Sequence, residues 1–192
     1  NTPSENNNNK STPPYANPKT ELGKRLTAAS EMGIPQVVVP GGLDQSAHGA
    51  YDKLPEQYKE DFRTGVRKDF GGTGMPYIHN EGVTIMVPTM DEVVMVAEYI
   101  AENLNATTGP TAIVIPMRGW SAYDQSEQLA TRDRGWSEGN GDGPTWDPDP
   151  EHPTWSKRAT LMLDVLRQKL DTSKVDLIWT DNHILDPEFA DL

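Results

Sequence analysis

Apolar positions recur along this chain in two alternating rhythms, one of helical and one of extended spacing. After Thr20, the residues Leu22, Leu26, Ala29 and Met32 share one helical face, with Gly33 at the C′ position and Pro35 barring continuation. The spacing predicts a helix that gives way to a strand over Gln36 to Val39, which ends in the sequence PGGLD at 40–44. Leu54, Tyr58, Phe62 and Val66 suit one amphipathic helix or two short pieces, broken by Gly71, Gly72 and Gly74. A short strand at 77–78, a turn holding His79 and Asn80, and a firm strand from Val83 to Val87 follow. Thr89 and Glu92 form a capping box, and Val93, Val96, Ala97, Ile100 and Leu104 make the broad apolar stripe of a helix that ends near Asn105.

Beyond Gly109 and Pro110, Ala112 to Ile115 form an uninterrupted apolar, β-branched run closed by Pro116. Such runs are carried by parallel strands covered on both faces. A helix from about Thr154 to Leu170 then presents Trp155, Met162, Leu166 and Leu170, and Val175 to Trp179 reads as the last strand. Helices and strands alternate, which predicts an α/β fold: a largely parallel sheet flanked by helices, Rossmann-like or a partial barrel, built from right-handed βαβ units. The loops after its strands should gather along one edge. Residues 1–18, polar and Pro-rich, predict a disordered arm or surface loop, and 19–192 a single α/β domain. Within that domain 125–153 is a long loop rich in Gly, Pro, Asp and Trp, with Trp120, Trp136, Trp146 and Trp155 in or beside it.

Composition narrows the chemistry. The 192 residues suffice for one α/β domain and are too few for a complete eight-fold barrel. With no cysteine, thiolate metal sites, disulfides and a Cys nucleophile are excluded. A net charge of −12 argues against nucleic acid or an anionic membrane as partner, since both require a positive face. No apolar run reaches the length of a membrane span and no signal pattern opens the chain, so a cytoplasmic location is expected. The Asn-rich start, without Met, reads as a piece of something longer.

The candidate residues all follow or flank strands: Asp44, His79, Asn80, Arg118, Ser121, Asp124, Asp181, Asn182, His183 and Asp186. In open α/β sheets, ligands bind outside the carboxyl ends of the strands, where helix N-termini and backbone N–H groups converge. Arg118 at the end of a buried strand requires a negative partner. That partner is either an internal carboxylate (Asp44, Asp124 or Asp181) or a ligand's phosphate or carboxylate. Gly41, Gly42 and Gly119 would let backbone approach an anion closely, though plain turn glycines look the same. His79 and His183, with Asp181 or another acid nearby, are candidates for general acid/base work, or else satisfied structural groups. There is no H-E-x-x-H or other tight ligand spacing, so no metal site is expected, and no G-x-S-x-G elbow surrounds Ser121.

The segments IPQVVVPGGLD, IHNEGVTIMVPT, IPMRGWSAYD and DNHILDPEFA, in this order and at these separations, resemble the C-terminal part of the tobamovirus-inhibitor ATP-binding domain family. The resemblance covers about residues 20–192. It implies a two-part α/β protein in which this chain is most of the second part, binding ATP, with magnesium accompanying the nucleotide. By motif, Gly41, Asp44, His79, Asn80, Arg118, Gly119, Ser121, Asp124, Asp181, His183 and Asp186 coincide with family positions. Ile78 departs from the Arg that relatives often place before the His-Asn pair, and the Trp-rich loop is longer than usual.

Three functions fit this reading. The first is a nucleotide-binding module, with Gly41, Gly42, Asp44, Asn80, Arg118, Gly119, Ser121 and Asp124 around the ligand. The second is a hydrolase or lyase acting on a phosphorylated or carboxylated small molecule, with His79, His183 and Asp181 as acid-base groups. The third is a protein-interaction module that uses the Trp-rich loop. Expected partners are the upstream part of the same protein and a second copy in a homo-oligomer, with neither nucleic acid nor membrane.

Overall fold

The computed structural model describes residues 26–127 and 141–192. The start of the predicted first helix at Thr20, the polar arm over 1–18, and Trp136 lie outside the described residues. Within them the chain runs α1 (Thr27–Met32), β1 (Gln36–Val38), β2 (Ser46–His48), α2 (Glu56–Arg63), β3 (Tyr77–Asn80) and β4 (Val83–Met86). It continues through α3 (Met90–Asn105), β5 (Thr111–Pro116), α4 (Lys157–Lys169), β6 (Val175–Thr180) and the short α5 (Pro187–Ala190).

The strands form two three-stranded sheets. One is parallel, in the order β1-β5-β6, with Gln36 opposite Thr111, and Thr111 to Pro116 opposite Val175 to Thr180 in unbroken register. This is the α/β arrangement that the alternation of elements predicts, with no closed barrel among the described residues. The second sheet, β2-β4-β3, is antiparallel. Here the structure corrects the sequence reading: β4 does not join the parallel sheet. A Gly82-containing turn folds β4 back on β3, and Ser46 to His48, which carries no strand signal of its own, pairs with its other side. His79 and Asn80 consequently lie on β3, and the turn falls at Glu81 and Gly82.

The core lies on one face of the parallel sheet. Thr89 caps α3 by accepting from the Glu92 N–H, and the Glu92 side chain reaches back to the Thr89 N–H, completing the capping box. The helix buries Val93, Ala97, Ile100, Ala101 and Leu104 against Ala159, Met162, Leu163 and Leu166 of α4. Both rows close over Ile113 and Ile115 of β5 and Val175 of β6. The fourth helix begins at Lys157 after Ser156, so Trp155 precedes it and is not part of its stripe. Val66 lies beyond α2 and is exposed.

The opposite face of the parallel sheet carries Val37, Ala112, Val114, Asp176 and Ile178, and none of these is buried. The run that reads as covered on both sides is covered on one by the described residues. No helix among those residues is long and apolar enough to cross a membrane.

Candidate functional site

The carboxyl ends of β1, β5 and β6 are stitched together by backbone. Past the last β5–β6 pair, the Met117 N–H donates to Thr180 O (3.0 Å), the Arg118 N–H to Asn182 O (3.0 Å) and the Ile184 N–H to Gly119 O (3.1 Å). From the β1 side, the Gly42 N–H donates to Trp120 O at 2.9 Å, and the Gly41 N–H to Val39 O at 2.8 Å. The N–H groups of both glycines are therefore engaged inside the protein. Gly119 has a φ of 126°, and a Cβ there would collide with the Asp124 carbonyl oxygen. The crossing of two chain segments alone demands glycine at that position.

Beneath these loops lies a buried acidic pair. Asp44 is wholly buried, and its Oδ2 accepts from the Ser121 and Thr145 hydroxyls, each at 2.7 Å, while Oδ1 is buried without a hydrogen-bond partner. The Ser121 hydroxyl also accepts from the Tyr123 N–H at 3.0 Å, so it is held from both sides. Asp124, also wholly buried, accepts from the Trp120 N–H (3.2 Å) and the Ser156 hydroxyl (3.1 Å). Burial, and then the charge of Asp44, push the Asp124 carboxyl up to about 7; burial likewise raises Asp44. Arg158, itself buried, opposes both shifts and donates from Nη1 to Thr145 O at 2.7 Å.

His183 is locked among the same loops. Its Nε2 lies 3.1 Å from the carbonyl oxygens of both Ser121 and Asp124, and Nδ1 accepts from the Leu185 N–H at 3.1 Å. Two carbonyl acceptors place the proton on Nε2 and leave Nδ1 bare, which is the neutral tautomer. Burial lowers its pKa in the same sense. Asp186 accepts from the His183 N–H at 2.8 Å, closing the turn that starts α5. Both ring nitrogens are occupied, and the histidine acts as a tie between β5 and β6 loops.

At the surface of this edge, Arg118 finds its counter-ion in Asp181. Nε donates to Oδ1 at 2.9 Å and Nη2 to Oδ2 at 2.8 Å, and the Trp155 indole N–H adds a third bond to Oδ1 at 2.9 Å. The hydrogen bonds from Arg118 hold Asp181 below the usual carboxylate range. The His152 ring stacks on Trp155 with centroids 4.3 Å apart and an interplanar angle of 10°. His79 is exposed on β3, and its Nδ1 lies 3.4 Å from the Tyr123 hydroxyl. Asn80, also exposed, uses its Oδ1 to accept from the Gly82 N–H.

Three of the four anticipated strand ends thus meet. The fourth, after β4, has a separate network: Arg67 grips both oxygens of Glu92 at 2.7 Å and donates to Val87 O at 3.1 Å. The sequence reading did not single out Arg67, Thr145, Ser156 or Arg158. Only Glu92 carried a local signal, the capping box.

Residues 20–136 match the C-terminal domain of the uncharacterised protein family UPF0261. A UPF0261 protein of Clostridium tetani is 31% identical over 166 residues, covering 86% of this chain and 32% of that protein. A UPF0261 protein of Rhizobium meliloti is 32% identical over 107 residues, which is 56% of this chain and 23% of the relative. The ToMV resistance protein Tm-1(GCR237) of Solanum lycopersicum is 31% identical over 100 residues, 52% of this chain and 12% of its own length. The chain therefore belongs to the UPF0261 family, in line with the motif resemblance. It spans about a third or less of the length of these curated relatives.

Proposed function

We propose that this UPF0261 domain holds a nucleotide, ATP in the first instance, with its phosphates at the carboxyl edge of the parallel sheet. The observation that supports the reading is the convergence of three N–H donors on one point. Arg118 Nε, Arg118 Nη2 and Trp155 Nε1 all address the Asp181 carboxylate. A planar guanidinium fork matches carboxylate and phosphate equally well. The Asp181 side chain is 58% exposed, so it is free to swing away and leave those donors to a ligand oxygen. Asp181 then stands in for the anion that the site receives.

The chemistry of the remaining groups is consistent with binding. Asp44, Ser121, Asp124 and His183 interlock the loops that hold Arg118 in position. Among the described residues there is no group of three or more acidic or histidine side chains placed to hold a metal, so magnesium would arrive on the phosphates. The test is calorimetric titration of the protein with ATP. Binding that is lost in Arg118→Ala and retained in Asp181→Ala supports the reading; identical heats in wild type and Arg118→Ala overturn it.

A further inference from the structure

We propose that the open face of the parallel sheet is the seat of a helical layer supplied by the part of the full-length polypeptide that lies outside residues 1–192. The inference concerns a sheet face, not the strand ends, so it stands or falls independently of the nucleotide site.

The register defines the surface. Val37, Ala112 and Asp176 are paired across all three strands, and Val114 and Ile178 pair across β5 and β6 on the next same-facing row. The α3 and α4 helices pack on the opposite face, over Ile113, Ile115 and Val175. Val37 is 69% exposed and Ile178 43%. At the amino end, Pro35, Val37, Pro110, Ala112 and Asp176 line a hollow of about 250 Å³.

A β5 strand apolar on both sides is suited to a sheet sandwiched between two helical layers, and the crossovers that supply such layers come from the same chain. Here one layer is present among the described residues. Material for the other exists in proteins of this family, since this chain corresponds to 32% of the Clostridium tetani relative. A second copy laid on the same face would place two Asp176 carboxylates in an apolar seam, which is costly without cations. A helix from elsewhere in the polypeptide can instead present a Lys, Arg or amide to the one Asp176.

The experiment places the photo-crosslinker p-benzoylphenylalanine at Ile178, and separately at Val37, in the full-length protein, with exposed Asp164 on α4 as the control position. The expected result is intramolecular crosslinks from both positions to peptides outside residues 1–192, and none of these from Asp164. Crosslinks to residues 1–25 or 128–140, crosslinks between isotopically light and heavy copies, or no crosslink from either position would overturn the proposal. If the bulky probe disturbs folding, carbene footprinting of the unmodified full-length protein replaces it. Val37 should then be labelled far less than Val66, which is 61% exposed; equal labelling of the two valines refutes the covered face.

Discussion

Asp44 Oδ2 accepts a 2.7 Å hydrogen bond from the Thr145 hydroxyl across 101 positions of sequence. That contact joins the loop after β1 to the segment that leads into α4, in a place where both carboxylate and hydroxyl are sealed from water. Removing the acceptor strands the Thr145 and Ser121 hydroxyls together. Asp44→Ala is therefore expected to lower stability by about 1–3 kcal/mol for the buried Thr145 hydroxyl left unpaired, with a smaller loss from the partly buried Ser121 hydroxyl. Thr145→Val, which leaves Asp44 its Ser121 partner, should lose less. Urea unfolding of the two variants measures both, and equal losses would contradict the shared-acceptor geometry.

The raised pKa of Asp124 gives the protein a pH signature. In the unfolded chain this carboxyl titrates near 3.8, and in the folded protein at about 7. Between those values the folded state binds more protons than the unfolded state, so the contribution of Asp124 to stability is full below pH 3.8 and disappears as pH rises through 7. Asp124→Asn removes the titration while its amide oxygen still accepts from the Trp120 N–H and its NH2 can donate to the Ser156 hydroxyl oxygen. Thermal melts from pH 4 to 8 should show a shallower decline in the variant; parallel curves would mean that Asp124 titrates normally.

Gly119 and Gly42 offer a paired test of backbone constraint. Both have positive φ, but a Cβ at Gly119 collides with the Asp124 carbonyl whereas one at Gly42 meets nothing within 4 Å. Gly42→Ala should cost only the conformational penalty of about 1–2 kcal/mol. Gly119→Ala should fail to fold or lose well beyond that amount. Comparable melting temperatures for the two variants would refute the crossing at Gly119.

Arg67 and Glu92 form a buried ion pair, with both partners largely shielded from water. Burial alone would raise the Glu92 pKa, but hydrogen bonds from Arg67 and the Thr89 N–H outweigh it and leave it lowered. Glu92→Ala leaves Arg67 short of its bidentate partner and removes the side-chain half of the α3 capping box, the bond from the Thr89 N–H, an expected loss of about 3–5 kcal/mol. Because the folded pKa is depressed, the Glu92 contribution is present above pH 4.5 and is lost as pH falls through the folded value. Acid unfolding followed by circular dichroism should show the wild-type advantage over Glu92→Ala vanishing at low pH.

The Arg118–Asp181 pair is different, because both partners are partly exposed. Such pairs contribute about 0.2–1 kcal/mol. Arg118→Ala should therefore shift the unfolding midpoint little while abolishing the ATP binding proposed above, which separates loss of a ligand contact from loss of fold. A large stability loss in Arg118→Ala would show that the pair serves the fold.

Much of the architecture was legible without coordinates. The three parallel strands and the long helix α3 announce themselves through β-branched runs, a helical stripe and the Thr89–Glu92 capping box, all of which depend on neighbours within a few residues. The pairing of β4 was not legible. An apolar strand of that length serves a parallel or an antiparallel sheet equally well, and the choice was made by the turn at Gly82 and by Ser46–His48, a segment with no apolar signal.

At the candidate site, the sequence by itself determined which charged and polar residues follow the strands, and that Arg118 required an anionic partner. It left open which one, because a carboxylate's neighbours are set by chain segments tens of residues apart. Only the tertiary structure decided that Asp181 holds Arg118, that Asp44 is shared by Ser121 and Thr145, and that His183 is tied by carbonyls on both sides of one nitrogen. The physical reason is that local propensity acts through the adjacent backbone, whereas desolvation and ion pairing act through space, and their outcome exists only once the chain has closed upon itself.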